Sequence, residues 1–510
     1  MQSIWRRAES RRLPWRGAVP DADTRPPPAL TGVAGTQGAT DADAAAADAH
    51  AAAAPTRIRE VLVMAKATGP RCNLRCDYCY YVGKGAEDFA PAKAGGATVG
   101  GATASGATAG EGPVGGAEAD GATAGGATAG EGPARAASRM PGKLSDALLE
   151  RYIAQRFAAS PGPVTHFEWH GGEPTLLGLA WFKALLRLQK RLCPPGRRFT
   201  NGLQTNGLLL NEAWAAFLHE AGFSVGLSLD GPKDCHDVHR HGADGVPSHA
   251  RVLRAFDILQ RAGVFTNVLC VVNKANVGLP AEVYGFFRDL GVKRLQFLPL
   301  VTPATVEAGT GRTGASIERT VAGIGRTAAP HPLAAGREEL GDFLCEVFDL
   351  WIASDVGRII VQTFDEALRP IHGVEHSLCI HRETCGDVAV LETDGSLYAC
   401  DHFVDPDHRL GSIVDSDLGA LSSDPRLVAF GEAKREGLAA FCRSCEVLGS
   451  CNGGCPKDRI SPAPDGSGLV AWFCPSWKRF FSHARPGLEA LSTHIRKGRA
   501  LRDYASVANR

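Results

Sequence analysis

Between Glu60 and Pro299 short apolar runs alternate with longer stretches whose apolar residues recur every three or four positions, and that rhythm leaves few folds open. The runs are Glu60 to Ala65, Val164 to Trp169, Arg198 to Thr205, Ser224 to Leu229, Thr266 to Val272 and Arg294 to Pro299, each of strand length. Leu144 to Phe157, Trp181 to Leu192, Glu212 to Glu220 and Ala250 to Arg261 carry the helical spacing. Strand and helix in alternation predict a parallel sheet. Six such units predict an α/β fold, a partial (β/α)6 barrel open on one side. In parallel α/β folds ligands collect at the carboxyl ends of the strands, so chemistry-bearing residues are expected there.

Just past the first run, Cys72, Cys76 and Cys79 stand in a CxxxCxxC spacing. A [4Fe-4S] cube has four irons and takes four ligands, usually thiolates. A loop that supplies three leaves one iron open to a small molecule. A zinc knuckle or a disulfide fragment is the plainer reading, but zinc sites usually pair a CxxC with a second CxxC or HxxxH at a set distance, and none follows nearby. One strand downstream comes His170-Gly171-Gly172-Glu173-Pro174. Its glycines let the main chain approach a ligand closely, and its carboxylate complements an ammonium. Gln204-Thr205-Asn206-Gly207 and Ser228-Leu229-Asp230-Gly231 also fall at strand ends, where Asn206 and Asp230 are equally readable as Asx-turn residues.

The C-terminal half adds eight cysteines, Cys379, Cys385, Cys400, Cys442, Cys445, Cys451, Cys455 and Cys474, enough for two cubes. Asp387 to Cys400 alternates in a period of two around Asp394-Gly395, the pattern of a tight β-hairpin, which brings Cys385 and Cys400 toward one end. The CxxC and CxxxC spacings after Cys442 also suit a zinc ribbon. Cys193, Cys235, Cys270 and Cys345 lie outside every motif and read as small buried hydrophobes.

Composition narrows the classes. The 55 Lys and Arg balance 55 Asp and Glu, so no general attraction to nucleic acid or membrane is expected. The basic start lacks the apolar core of a signal peptide, and no apolar run is long enough to span a bilayer. A cytoplasmic protein is expected, in which fifteen cysteines suit metal better than a disulfide framework. Residues 1–55, rich in Ala, Pro and Asp, and the GATAG and GEGP repeats of 92–137 are expected to be disordered, because small residues bury too little apolar area to offset chain entropy. Residues 302–336 read as a linker or lid.

The first cysteine run and the GGEP turn resemble the signatures of the radical S-adenosylmethionine (radical SAM) superfamily. That resemblance implies Cys72, Cys76 and Cys79 as cluster ligands, with the SAM amino and carboxylate groups on the fourth iron. It further implies Gly171, Gly172 and Glu173 at the methionine amino group, with Ser228 and Arg251 as further SAM contacts. The eight later cysteines resemble the SPASM domain, here 337–485 after a barrel of 56–301, with 486–510 as a tail. The family pattern places Cys379, Cys385, Cys400 and Cys455 on one auxiliary [4Fe-4S] cluster, and Cys442, Cys445, Cys451 and Cys474 on the other. Three [4Fe-4S] clusters and SAM are thus the implied cofactors.

Within that group CNLRCDYCYYVGK, WHGGEPTLLG, VVNKAN, YACDHFV and NGGCPKDRI are most similar to the anaerobic sulfatase-maturating enzymes. The resemblance implies oxidation of a cysteine or serine of a sulfatase polypeptide to Cα-formylglycine, with an electron donor such as ferredoxin or flavodoxin. It implies Asp401 as the base that takes the proton from the substrate thiol or hydroxyl, and Tyr81 in the wall of the SAM and peptide pocket. It assigns His170 no definite role. The alternatives are a SPASM enzyme that crosslinks a ribosomally made peptide, in which Asp401 has no required part, and an electron carrier, which leaves GGEP and Ser228 unexplained.

Overall fold

The structure, a computed structural model, describes residues 60–79, 81, 142–242, 244–301 and 329–504, together with the backbone of 305–306 and 313–314. The expected disordered segments 1–55 and 92–137, and most of the expected linker, lie outside the described residues.

Sixteen strands are described. The barrel strands are β1 (Leu62–Lys66), β3 (Val164–His170), β4 (Arg198–Thr205), β5 (Ser224–Ser228), β7 (Phe265–Val272) and β8 (Arg294–Pro299), all in the predicted runs to within two residues. Two short strands, β2 (Leu74–Cys76) and β6 (Arg240–Gly242), pair antiparallel at the carboxyl end of the barrel, Cys76 opposite Arg240. β9 (Thr305–Val306) and β10 (Thr313–Gly314) form a small hairpin. The C-terminal region contributes β11 (Ile360–Val361), β12 (Val388–Leu391), β13 (Ser396–Tyr398), β14 (Arg409–Ser412), β15 (Arg459–Pro462) and β16 (Leu469–Ala471).

Ten strands join one open sheet in the order β11-β8-β7-β5-β4-β3-β1-β12-β13-β14. The predicted six-stranded parallel unit is its middle. On β3, Phe167 and Trp169 are buried, and Trp169 meets Trp181 edge-on beneath the helix Leu179–Leu192. Alternation then turns Glu168 and His170 to the opposite, inner face. Gly202 sits opposite Glu168 on β4, where an added Cβ would fall inside the Glu168 carboxylate.

The sheet also crosses the expected domain boundary. β12 runs parallel to β1, with Leu62 opposite Val388 and Ala65 opposite Leu391. At the other edge β11 pairs with β8. The β12–β13 hairpin forms as its Asp394-Gly395 turn predicts, with Leu391 opposite Leu397. Leu333 accepts the Lys274 amide, and Ala335 is buried in the core, so the end of the expected linker is packed against the barrel. The helix Cys474–Arg496 runs through the expected boundary at 485. Its Leu488 and Leu491 share one apolar core with Val283, Phe287 and Leu295 of the barrel. Among the described residues no helix is long and apolar enough to cross a membrane.

Candidate functional site

The loop from Gly69 to Cys79 and the turn after β3 are built as one piece. Gly172 donates to the Gly69 carbonyl at 2.7 Å and Glu173 to the Arg71 carbonyl at 2.8 Å. Gly171 adopts φ +136°, and a Cβ on Gly172 would collide with the Arg71 carbonyl. The two glycines therefore let the turn lie against the chain entering Cys72.

Glu173 is fully buried, and its carboxylate is already engaged. It accepts from the Thr175 amide at 2.9 Å, from Thr175 Oγ1 at 2.5 Å, from Thr205 Oγ1 at 2.8 Å and from the Asn206 amide at 2.7 Å. Burial raises its pKa against those bonds. Its evident structural work is to tie the ends of β3 and β4 together. Asn206 does two things at once. Its Oδ1 accepts the Leu208 amide, closing the Asx turn, while Nδ2 reaches Asn73 Oδ1 at 2.8 Å and Cys72 Sγ at 3.7 Å. Asp230 similarly joins three elements. It accepts from Tyr78 Oη in the cysteine loop, from Arg240 Nε on β6 at 2.8 Å and from the Val271 amide on β7 at 2.9 Å.

Cys72, Cys76 and Cys79 lie within electrostatic reach of one another. Burial pushes the Cys72 and Cys76 thiols up to about 12, with the neighbouring thiols adding to it. Ligation to a metal removes such protons. The Cys72 sulfur also receives the Leu74 amide at 3.4 Å, the kind of N–H contact that tunes a bound cluster. Ser228 stands at the end of β5 and accepts from Gln204 Nε2 at 3.2 Å. Arg251, in the first turn of the helix His249–Arg261, is exposed and makes no hydrogen bond or ion pair with these residues.

The later cysteines fall into two sets. Cys455 and Cys379 both act on Cys400, and Cys379 acts on Cys385 and Cys455. Lys434, almost wholly buried, donates to the Cys379 carbonyl at 2.6 Å and to the Ile380 carbonyl at 3.0 Å. Cys442, Cys445, Cys451 and Cys474 line a single cavity with Gly453 and Ala471. Among the described residues no three His, Cys, Asp or Glu side chains converge as the ligands of one ion do. A cube asks for a wider grouping, because each thiolate binds a different iron, and three-, four- and four-thiol sets fit three cubes. Cys235, Cys270 and Cys345 are buried apart from these sets, and Cys193 is half-buried.

Asp401 follows Cys400, yet the two side chains serve different places. Cys400 belongs with Cys379 and Cys455, whereas Asp401 Oδ1 lies 2.5 Å from Lys66 Nζ at the end of β1. Lys66 is fully buried, and its Nζ is 3.1 Å from His170 Nδ1 and 5.4 Å from the Tyr81 ring centroid. Burial works against the Asp401 charge, but the Lys66 ammonium outweighs it and holds the carboxyl well below its usual range. Burial, reinforced by Lys66, lowers His170 to about 3, so the ring is neutral. Its Nδ1 accepts the Gly171 amide at 2.8 Å, which leaves the proton on Nε2. Sequence reasoning missed Lys66. The available signal was a lysine closing an otherwise apolar strand, which also describes an ordinary solvated strand end.

Residues 67–281 match the radical SAM superfamily, and residues 379–446 match the SPASM iron-sulfur cluster-binding domain. The chain is 31% identical over 438 residues to a serine-type anaerobic sulfatase-maturating enzyme of Bacteroides thetaiotaomicron, covering 86% of this chain and 92% of that one. It is also 31% identical to a cysteine-type enzyme of Clostridium perfringens, over 70% of this chain and 90% of the other. Among solved structures, native anSMEcpe with bound AdoMet and the Kp18Cys peptide superposes with a TM-score of 0.65 at 27% identity, over 85% of this chain and 99% of that one. Built on a partial barrel with a three-thiol loop and two sets of four thiols behind it, the chain belongs to the anaerobic sulfatase-maturating enzymes of the radical SAM superfamily.

Proposed function

We propose that this chain oxidises a cysteine or serine in a sulfatase polypeptide to Cα-formylglycine, with Asp401 as the base. The observation that carries the reading is the meeting of Asp401, Lys66, His170 and Tyr81 where the strand ends of the barrel face the first set of C-terminal thiols.

Three thiols, Cys72, Cys76 and Cys79, would hold a cluster with one iron left for SAM. The two sets of four thiols would hold clusters whose irons are all ligated by the protein. So bound, SAM supplies a carbon radical that can take a hydrogen atom, and the auxiliary clusters supply an acceptor for one electron. The chain's own residues account for the rest. Gly171 and Gly172 bring the main chain close enough to line the SAM methionine. Glu173 locks the strand ends that shape this pocket and completes the ammonium site, while Ser228 offers its hydroxyl from β5. Tyr81 and His170 close the wall beside Asp401 and keep water from the reacting carbon.

Asp401 removes the proton from the substrate sulfur or oxygen, and must stand within hydrogen-bond reach of it. The balance is complete: Cβ loses a hydrogen atom, the heteroatom loses a proton, and one electron leaves. Serine then gives the aldehyde directly. Cysteine gives a thioaldehyde, which water converts to the aldehyde with loss of hydrogen sulfide. A ferredoxin or flavodoxin as donor and a cytoplasmic setting belong to the same proposal.

The test is anaerobic incubation of the reconstituted enzyme, SAM and a reductant with peptides containing CxPxR or SxPxR. An aldehyde trapped by a hydrazine on either peptide supports the proposal. SAM cleavage without any aldehyde on both contradicts it.

A further inference from the structure

We propose that Lys66 is a positioning residue for this reaction, fixing Asp401 Oδ1 and the His170 ring so that Asp401 Oδ2 faces the substrate hydroxyl or thiol. This rests on the reading of Asp401 as the base.

The argument begins with where Lys66 stands. It closes β1, the one strand that pairs with both the barrel strand β3 and the C-terminal strand β12. In register it sits opposite His170. Val63 and Ala65 fill the other face of the strand, and both are fully buried. A lysine is a poor choice for joining sheets, because removing an ammonium from water is costly unless it is paired and hydrogen-bonded. Here it is surrounded by groups from three other parts of the chain. Asp401 comes from the loop after β13, His170 from β3, and Tyr81, hydrogen-bonded to the ammonium, from the cysteine loop.

The neutral ring of His170 already accepts the Gly171 amide through Nδ1, so it shares that lone pair with the ammonium and brings no charge. Asp401 is the carboxylate that balances Lys66. The carboxylate is thereby anchored at one oxygen, while its neighbour Cys400 lies with Cys379 and Cys455. Fixing a base before substrate arrives removes rotational freedom that would otherwise be lost at the reaction step, and misplacement of about 1 Å commonly costs a factor of about 100. Loss of Lys66 frees Asp401 to turn. The radical would still form, but its reaction would less often end in aldehyde.

The experiment uses the cluster-loaded enzyme with a peptide that the wild type converts, and measures aldehyde formed per 5′-deoxyadenosine released. Lys66→Met is expected to keep the iron-sulfur spectra and SAM cleavage but to lower that ratio by about tenfold or more. Lys66→Arg should recover part of it. On an Asp401→Asn background, Lys66→Met should cost less than about a further twofold, because residues acting as one unit are not additive. Full additivity in the double variant, or equal losses of SAM cleavage and aldehyde with the ratio unchanged, would overturn the proposal. Should Lys66→Met fail to load its clusters, Lys66→Gln decides by the same ratio. If that variant also fails, Lys66 is a structural residue and the proposal falls. A wild type that makes no aldehyde would instead remove the proposed function.

Discussion

The Asp401 carboxylate is unusual in being both buried and paired, only 9% exposed and 2.5 Å from a fully buried lysine. General bases typically contribute factors of 100 to 10,000. Asp401→Asn is therefore expected to lower the aldehyde rate by about 100-fold or more while SAM cleavage persists, as read by hydrazine trapping alongside chromatography of 5′-deoxyadenosine. A second buried group gives the protein an acid sensitivity. His236 accepts the Asp230 amide at Nδ1, and its Nε2 lies 2.8 Å from Ser248 Oγ, whose own proton goes to the Arg240 carbonyl. That chain of bonds requires a neutral ring. Burial, then the Arg240 charge, lowers its pKa from 6.5 to about 4. The depressed value means its contribution to stability is whole above pH 6.5 and is lost as pH falls toward 4, with a limiting slope of about 1.4 kcal/mol per pH unit. His236→Gln should remove one proton's share of the fall in melting temperature between pH 7 and 5, measured anaerobically on the loaded protein. An unchanged slope would contradict this. At this scale the cysteines were legible from spacing and family pattern alone. Lys66 was not, because ion pairs between residues distant in sequence leave no periodic trace.

Strand and helix positions were the most legible level, since alternation and 3.6-residue periodicity are local and the β4 and β8 boundaries were readable to the residue. The turn after β3 was readable as glycine-rich, but the reason for its glycines lies in the Gly69 to Arg71 segment, which touches it only in three dimensions. Gly172→Ala places a methyl group against the Arg71 carbonyl. It is expected to displace the Cys72 loop, lowering iron content by about one cluster in three, in line with the loss of one thiolate set. Iron and sulfide analysis with the electron paramagnetic resonance of the reduced protein checks this, and a full complement would contradict it. Glu173 illustrates a limit of motif reading. Its motif announces a ligand contact, whereas its four donors show an equally strong duty in joining β3 to β4.

Across the described residues the two halves share one ten-stranded sheet, and each of the two large apolar cores draws residues from both. β12 beside β1 sets Asp401 against Lys66, and Cys400, the preceding residue, near Cys379 and Cys455. A one-residue step thus separates the proposed base, Asp401, from Cys400 of the first auxiliary thiol set. Sequence alone could not reveal this, because the pairing of β12 with β1 joins strands from opposite ends of the chain and neither carries a mark of its partner. The central claim is that the SAM-derived radical takes its hydrogen from Cβ of the target residue within this junction. Its most direct measurement uses a peptide deuterated at Cβ of the target cysteine or serine, followed by mass spectrometry of the 5′-deoxyadenosine. Deuterium in 5′-deoxyadenosine, appearing in step with the aldehyde, is the predicted result. Aldehyde formed with no deuterium transferred would contradict the account.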